Sequence, residues 1–397
     1  MHVLFVTSLV PDGHATSGYE IANQAIIDGL RRIGVKVTVI GFTWPGKAAL
    51  DPENTIVLGS LDVRTATADR QTKLRWVAGA LVGGYTISSV KMRAVSENTL
   101  REAMASRGPY DAYVLNGVSL PGAFPALLNE LPSLWIAHNV EFKSARENVE
   151  SAEGQLKKLF FRREARLLET IERNLAANAL FIFTLADEDR APLGVNRHDR
   201  SAVLPLITTA NAPVSLKNRA IHYDAGLIGT WTWEPNRVGL DWFVREVAPL
   251  LPANFKVGVA GQMSSPMENA PSCIEFLGRV PDAKAFVNSC CVIPLVARGG
   301  TGVQLKTIET FEAGLPSVAT TLSLRGINLR PSNCEIADDP QLFAKLLIAK
   351  ANAVRAGKML DLDGRSFYEA QRNALDDALK IGISTLSGTH MKSKRAA

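Results

Sequence analysis

The chain has 397 residues, 44 Lys+Arg against 39 Asp+Glu, 46% hydrophobic residues and four cysteines. This composition excludes wholesale disorder and a disulfide scaffold, and Cys273, Cys290, Cys291 and Cys334 lack the paired spacing of a zinc site. A net charge of +5 suits a phosphorylated ligand or an anionic surface, and no nucleic-acid partner is expected.

The run from His2 to Val6 is too short for the apolar region of a signal peptide, which makes a cytoplasmic location the expectation. Residues 2–7 read as a buried parallel strand. A Gly/Ser/Pro loop, Val10 to Tyr19, follows, and residues 20–33 carry apolar side chains at helical spacing up to Gly34. Val35 to Ile40 is a second strand, completing a βαβ opening. Trp76 to Val90 is apolar with basic flanks and too short to span a bilayer; it reads as a buried helix with basic ends, or as a segment facing anionic lipid. Strands are expected at 112–115, 134–137 and 180–184, the last after a charged helix from about Ala152 to Ala177.

Residues 204–220 lose periodicity and gain proline, as a linker does, with the boundary near 215. The second half repeats the alternation, with strands at 225–228, 256–260, 274–276, 291–294 and 317–320 and helices at 238–250, 282–289 and 304–313. The fold class is α/β with two Rossmann-like doubly wound domains, residues 1–214 and 215–363. A polar helix over 364–383 and a disordered basic tail over 384–397 close the chain.

In open α/β sheets, ligands bind at the carboxyl ends of strands. The most informative stretch runs from Pro294 through Arg298, Gly299, Gly300, Thr301 and Gly302, and then from Val303 into a helix carrying Lys306 and Glu309. Backbone N–H groups in such a turn, backed by a positive helix terminus, make an anion site, to which Lys306 adds a point charge. The same residues also read as a tight turn followed by a solvated i,i+3 ion pair. A second constellation is the apolar strand that ends in His138-Asn139-Val140-Glu141, the position expected of a reacting residue, or of a capped loop beside a core histidine. Asp187-Glu188-Asp189 reads as helix N-terminal acidic residues, not as a metal-diphosphate site.

The run Gly299 to Glu309, with Glu312-Ala-Gly314-Leu-Pro316 after it, resembles the nucleotide-sugar signature of GT-B glycosyltransferases, especially glycosyltransferase family 4 in its bacterial branch. Ser17 to Glu20, Leu30 to Val39, Gly229 to Asn236 and Phe276 to Val280 resemble that family's other segments in the same order. The resemblance implies two facing domains, a C-terminal helix crossing back to the first, and retaining transfer of a sugar from a nucleoside diphosphate, UDP favoured and GDP possible, to a glycan or lipid-linked hydroxyl. Bacterial surface polysaccharide synthesis, with peripheral contact to an anionic membrane, is the implied setting. It implies His138, Lys306 and Glu309 as the catalytic set. Donor contacts fall on Gly18, Thr230, Arg279, Arg298, Gly299, Gly300, Thr301, Gly302 and Val303, and acceptor contacts on Ser17, Tyr19, Glu20 and Asn116. No metal or other cofactor is expected. The family's first signature glutamate is replaced by Thr301, and a second basic phosphate ligand falls on Arg298 or Arg237. Two alternatives stay open, a nucleotide-sugar epimerase or hydrolase on the same fold and a nucleotide-binding protein that has lost activity.

Overall fold

The β-branched and aromatic residues that open the chain form a central strand buried on both faces, Val3 to Val6 having no exposed surface. The computed structural model describes residues 1–13, 17–65, 68–152, 154–196, 199–214, 219–263, 267 and 269–395. These fall into two units, residues 1–206 with 372–397 and residues 207–371.

In the first unit the chain runs β1 (His2–Leu9), α1 (Gly18–Arg32), β2 (Lys36–Thr43), β3 (Thr55–Ser60), α2 (Arg70–Gly83), α3 (Ile87–Met92) and α4 (Glu97–Ala105). It continues through β4 (Ala112–Asn116), α5 (Ser119–Ala123), β5 (Ser133–Ala137), α6 (Glu141–Ser151), α7 (Gln155–Asn178), β6 (Phe181–Thr184) and β7 (Ser201–Val203). The strands pair in parallel in the order β3-β2-β1-β4-β5-β6-β7. Growth of the sheet reverses between β1 and β4, which opens a crevice at their carboxyl ends. Trp135, Phe124 and Leu115 are fully buried in the core on one side of this sheet.

The second unit holds β8 (Tyr223–Ile228), α8 (Glu234–Trp242), β9 (Val257–Ala260), β10 (Ile274–Gly278), α9 (Ala283–Asn288), β11 (Cys290–Leu295), α10 (Leu305–Glu312), β12 (Ser317–Ala319), β13 (Cys334–Ile336) and α11 (Pro340–Arg355). Its parallel order is β10-β9-β8-β11-β12-β13, so the reversal falls between β8 and β11. Both units are thus doubly wound, each with its own core.

The structure differs from the sequence reading in several places. The charged helix expected from about Ala152 to Ala177 is α7, which starts just after Gly154 at φ 87°, and α6, before it, was not foreseen. Strands β3, β7 and β13, which the sequence reading did not include, are edge elements, β7 and β13 of three residues each. The segment expected as one buried helix is α2 and α3, separated by Gly84 in a left-handed C-cap, and one face of α2 is exposed. The last helix, α12 (Gly364–Arg395), does not give way to an irregular tail at Ser384, and Leu386 is buried. The expected boundary at 215 lies outside the described residues. Among the described residues no helix is long and apolar enough to cross a membrane.

Candidate functional site

In the first unit the crevice is filled by a polar network. Leu9 O can only accept, so Asn23 presents Nδ2 to it at 3.3 Å and to Thr7 Oγ1 at 3.0 Å. Asn23 Oδ1 therefore accepts from Asn116 Nδ2 at 2.7 Å. Asn116 Oδ1 is then left facing His138 Nε2, 2.7 Å away, and that nitrogen carries the proton. A single backbone carbonyl thus fixes the tautomer of His138 through two buried amides. Burial lowers the His138 pKa to about 4, so the ring is neutral near pH 7. The Tyr19 ring lies 4.8 Å from the imidazole, and its hydroxyl bonds Thr7 Oγ1 at 2.9 Å.

The four residues expected on the acceptor side have different surroundings. Asn116 is fully buried and serves His138 from within. Glu20 is buried too, its carboxylate accepting from Trp44 Nε1 at 2.6 Å and Ser17 Oγ at 2.9 Å. Ser17 Oγ in turn accepts from Glu20 N, so Ser17 is the N-cap that starts α1, and Gly18 is the first helical residue. Tyr19 is half-buried in the network. Glu172, from α7, accepts from Glu141 N and Phe142 N and so anchors the first turn of α6 directly after His138.

In the second unit the turns after β8 and β11 converge. Lys306, the second residue of α10 and not a full turn inside it, is half-buried with Nζ 5.0 Å from the Trp231 ring centre and 3.4 Å from Asn236 Oδ1. Burial lowers its pKa to about 8, against the opposing pull of the Glu309 carboxylate. Trp231 is fully buried and donates its indole N–H to Ala260 O, so the fixed ring forms a floor under the ammonium. A Cβ at Gly229 would stand 3.0 Å from Lys306 Nζ and 3.1 Å from that ring, and only glycine leaves the space open. The N-cap residue of α10, Gln304, makes no side-chain cap. A narrow cleft here is lined by Trp231, Pro235, Asn236, Gln304, Lys306 and Thr307.

Gly299 and Gly300 are half-buried, Thr301 and Gly302 are buried, and Val303 is half-buried. Arg325, which sequence reasoning missed, donates from Nε to Gly302 O at 2.8 Å and from Nη1 to Gly300 O. Those carbonyls are thereby held toward a buried guanidinium. Asn236, also missed, lies in the first turn of α8 and is fixed by Thr230 O, while Arg325 follows the short 3-10 turn Thr321–Leu324. Arg298 is exposed and stacks its guanidinium over Trp242 at 4.8 Å, beside Asp338, while Arg237 pairs with Asp241 in an i,i+4 contact. Each arginine thus has a partner already. Thr230, Glu309 and Arg279 are exposed, Arg279 just after the carboxyl end of β10. Glu312, within the same signature, is buried and accepts from Thr208 N and Oγ1. A larger groove of about 580 Å³ lies at the opposite, amino ends of β8 and β11, and there Arg219 is bound to Asp361.

Asp187–Asp189 forms a short 3-10 turn in which Asp187 pairs with Arg190. Among the described residues no three His, Cys, Asp or Glu side chains stand together as a metal site.

Residues 223–349, most of the second unit, match the family described as Glycosyl transferases group 1. The chain resembles the solved structure of WaaG, described as a glycosyltransferase involved in lipopolysaccharide biosynthesis, at 16% identity and a TM-score of 0.55, covering 97% of this chain and 98% of that one. Anabaena HepE in complex with UDP and glucose is similar at 12% identity and a TM-score of 0.56 over 98% and 100% of the two chains. TarM is similar at 8% identity and a TM-score of 0.57 over 97% and 98%. No curated protein matches by sequence. At these identities the structural likeness is one of fold.

Proposed function

We propose that this chain, a glycosyltransferase built on the GT-B fold, takes its sugar from a nucleoside diphosphate held at the glycine-rich turn of the second unit. The observation that carries this reading is Lys306: a partly desolvated ammonium over an indole floor, at the start of a helix without a side-chain cap. A diphosphate there would restore the proton affinity that burial removes. UDP is the favoured carrier, since HepE is described with UDP and glucose bound; GDP is the second choice. Glu309 would receive the ribose hydroxyls. Arg325 would act as a positioning residue by holding the turn, and Thr301 would leave donor-sugar contacts to the neighbouring backbone.

Transfer proceeds with retention. The bond from the anomeric carbon to the diphosphate oxygen breaks, and the acceptor oxygen bonds that carbon on the same face. The acceptor proton passes to the departing diphosphate. Lys306 and the turn stabilise the charge that develops on the leaving group, without a metal ion. His138, neutral with a fixed Nε2–H, orients the donor sugar and is not a general base, since a pKa of about 4 makes it a weak one. The acceptor is a glycan or lipid-linked hydroxyl of a surface polysaccharide, a reading supported by the fold shared with WaaG, which is described as involved in lipopolysaccharide biosynthesis.

Calorimetric titration with UDP, GDP, ADP and CMP, with and without magnesium, tests the donor site. Tight, metal-independent binding of UDP that is lost in Lys306→Ala is the expected result, and no binding of any nucleotide refutes the reading. For His138→Ala, turnover should fall with nucleotide affinity retained, and unchanged turnover removes His138 from the mechanism.

A further inference from the structure

Helix α6 starts without a side-chain cap of its own. Its N-cap residue is Val140, which has no side-chain acceptor, whereas α1, α2, α3, α4, α9 and α11 are each capped by the side chain that precedes them. The acceptor for α6 comes from α7. Glu172, 1% exposed, takes Glu141 N on Oε1 at 2.8 Å and Phe142 N on Oε2 at 2.9 Å, so both carboxylate oxygens hold the first two N–H groups of α6. A cap on the preceding residue travels with its helix. A cap on another helix ties the helix to the rest of the unit, and two bonds fix its direction as well as its place.

His138 lies just before this anchor. Ala137 is the last paired residue of β5, in register with Thr184 of β6, and Glu141 is the first anchored residue of α6. His138, Asn139 and Val140 alone bridge the two fixed points, and Val140 is fully buried with its carbonyl bonded by Lys143 N and Ser144 N. The backbone that carries the imidazole is therefore held from both sides, while Asn116 holds the far end of the ring. Burial pushes the Glu172 pKa up to about 8, the two N–H bonds oppose that rise, and the carboxylates of Glu141 and Asp189 add to it. The anchor thus lies out of water, where its bonds are strong.

We infer that Glu172 is a positioning residue of the transfer reaction: by clamping the first turn of α6 it sets where the His138 ring stands. This rests on the reading of His138 as the group that orients the donor sugar, and it gives Glu172 no contact with substrate. Orientation of a reacting group is lost with displacements of about 1 Å, so a loosened anchor acts on turnover before it acts on binding.

Helix α7 also supplies the control. Glu164, about 12 Å earlier along the helix, accepts from Ile87 N at the start of α3 at 2.8 Å, a bond of the same kind made to a different helix. The test compares Glu172→Gln with Glu164→Gln in the full chain carrying nitrogen-15 histidine, at about pH 9, where Glu172 is ionised and His138 neutral. A glutamine side chain can accept one of the two N–H groups but sets its own NH2 against the other. The His138 ring nitrogen signals, identified by their absence in His138→Gln, should shift or split in Glu172→Gln and stay in place in Glu164→Gln, with the other histidines unmoved in both. With UDP-glucose as the donor probe, kcat for UDP release should fall about tenfold in Glu172→Gln, with the donor KM within about twofold of the wild type, and neither should change in Glu164→Gln. If Glu172→Gln loses its circular dichroism spectrum, Glu172→Asp, which keeps the charge with a shorter reach, should show the same shift in smaller degree. Unmoved His138 signals, or the same shift in both glutamine variants, overturn the inference. So does a loss of turnover in His138→Ala without one in Glu172→Gln, whereas turnover unchanged in both overturns the reading of His138 on which the inference rests.

Discussion

The two crevices at the reversal points of the two sheets solve the same topological problem in opposite ways. In the first unit the crevice between β1 and β4 is closed by side chains that satisfy one another: Thr7, Tyr19, Asn23, Asn116 and His138 are linked by hydrogen bonds that originate at Leu9 O. In the second, the crevice between β8 and β11 holds Lys306, whose ammonium among the described residues meets a long contact to Asn236 and the face of Trp231, with the pull of Glu309 beside it. Networks satisfied from within fix geometry, whereas a desolvated cation with weak partners is poised for a ligand that brings the missing charge. The first unit therefore supplies a preset histidine and the second a site that gains most when filled.

The largest effect expected from this contrast is on Lys306. Replacing it with alanine should cost about 3–4 kcal/mol of nucleoside diphosphate affinity by calorimetry, because the phosphates would lose a charge-assisted partner in a partly dry site. In the wild type, affinity should fall as pH rises through about 8, where the free lysine gives up its proton. Binding near that pH should take up protons, which titrations in buffers of different ionisation enthalpy will register. Affinity that is flat from pH 7 to 9 would mean that Lys306 does not meet the phosphates.

The first crevice should respond through stability instead. His138 has its folded pKa depressed from 6.5 to about 4, so between those values the unfolded chain binds more protons and stability drops as pH falls. Integrated over that window the loss is about 3 kcal/mol, present in full as stability above pH 6.5. Denaturant unfolding of His138→Gln should lack this component. An unchanged acid slope would show that His138 reaches water before the chain unfolds.

Asn116 sharpens the comparison because it can be altered without removing the histidine. Asn116→Leu should cost about 1–3 kcal/mol through the donors and acceptors left unmatched around it. It should also release His138 into a mixture of tautomers, visible in the nitrogen chemical shifts of the ring. Asn116→Asp, which places a carboxylate beside Nε2, should raise the His138 pKa where the leucine variant does not. A single preserved tautomer in Asn116→Leu would break the chain of reasoning from Leu9 O.

Much of the architecture is legible in the sequence because buried parallel strands are written as short apolar runs, as at 2–7, 112–115 and 134–137, each followed by helical spacing or a glycine turn. The Lys306 turn is legible for the same reason: its glycines, lysine and helix start are contiguous. What could not be read are contributions made across long separations. Arg325 works through the carbonyls of Gly300 and Gly302, and Asn23 through Leu9 O and Asn116, and neither partnership leaves a local pattern. The apolar run at 76–90 misled in a different way, since a helical segment that is apolar all round gives no sign of which face will be covered. The internal bonds of Glu20 and Asn116 were not legible either, because a polar residue near a strand end reads alike whether it points to a ligand or to a neighbour.

The smallest of these effects separates local from functional roles at the start of α1. Ser17 lies in a segment that resembles a ligand loop, yet its hydroxyl accepts from Glu20 N and donates to the Glu20 carboxylate, which also takes the Trp44 indole N–H. Ser17→Ala should therefore cost about 1 kcal/mol in unfolding free energy, the ordinary worth of an N-cap. Glu20 keeps its indole partner in that variant, so α1 should remain folded and the His138 network intact. Turnover and nucleotide affinity should then stay at wild-type values. A loss of turnover in Ser17→Ala without a matching loss of stability would place this loop in the acceptor site and make its N-cap a secondary feature.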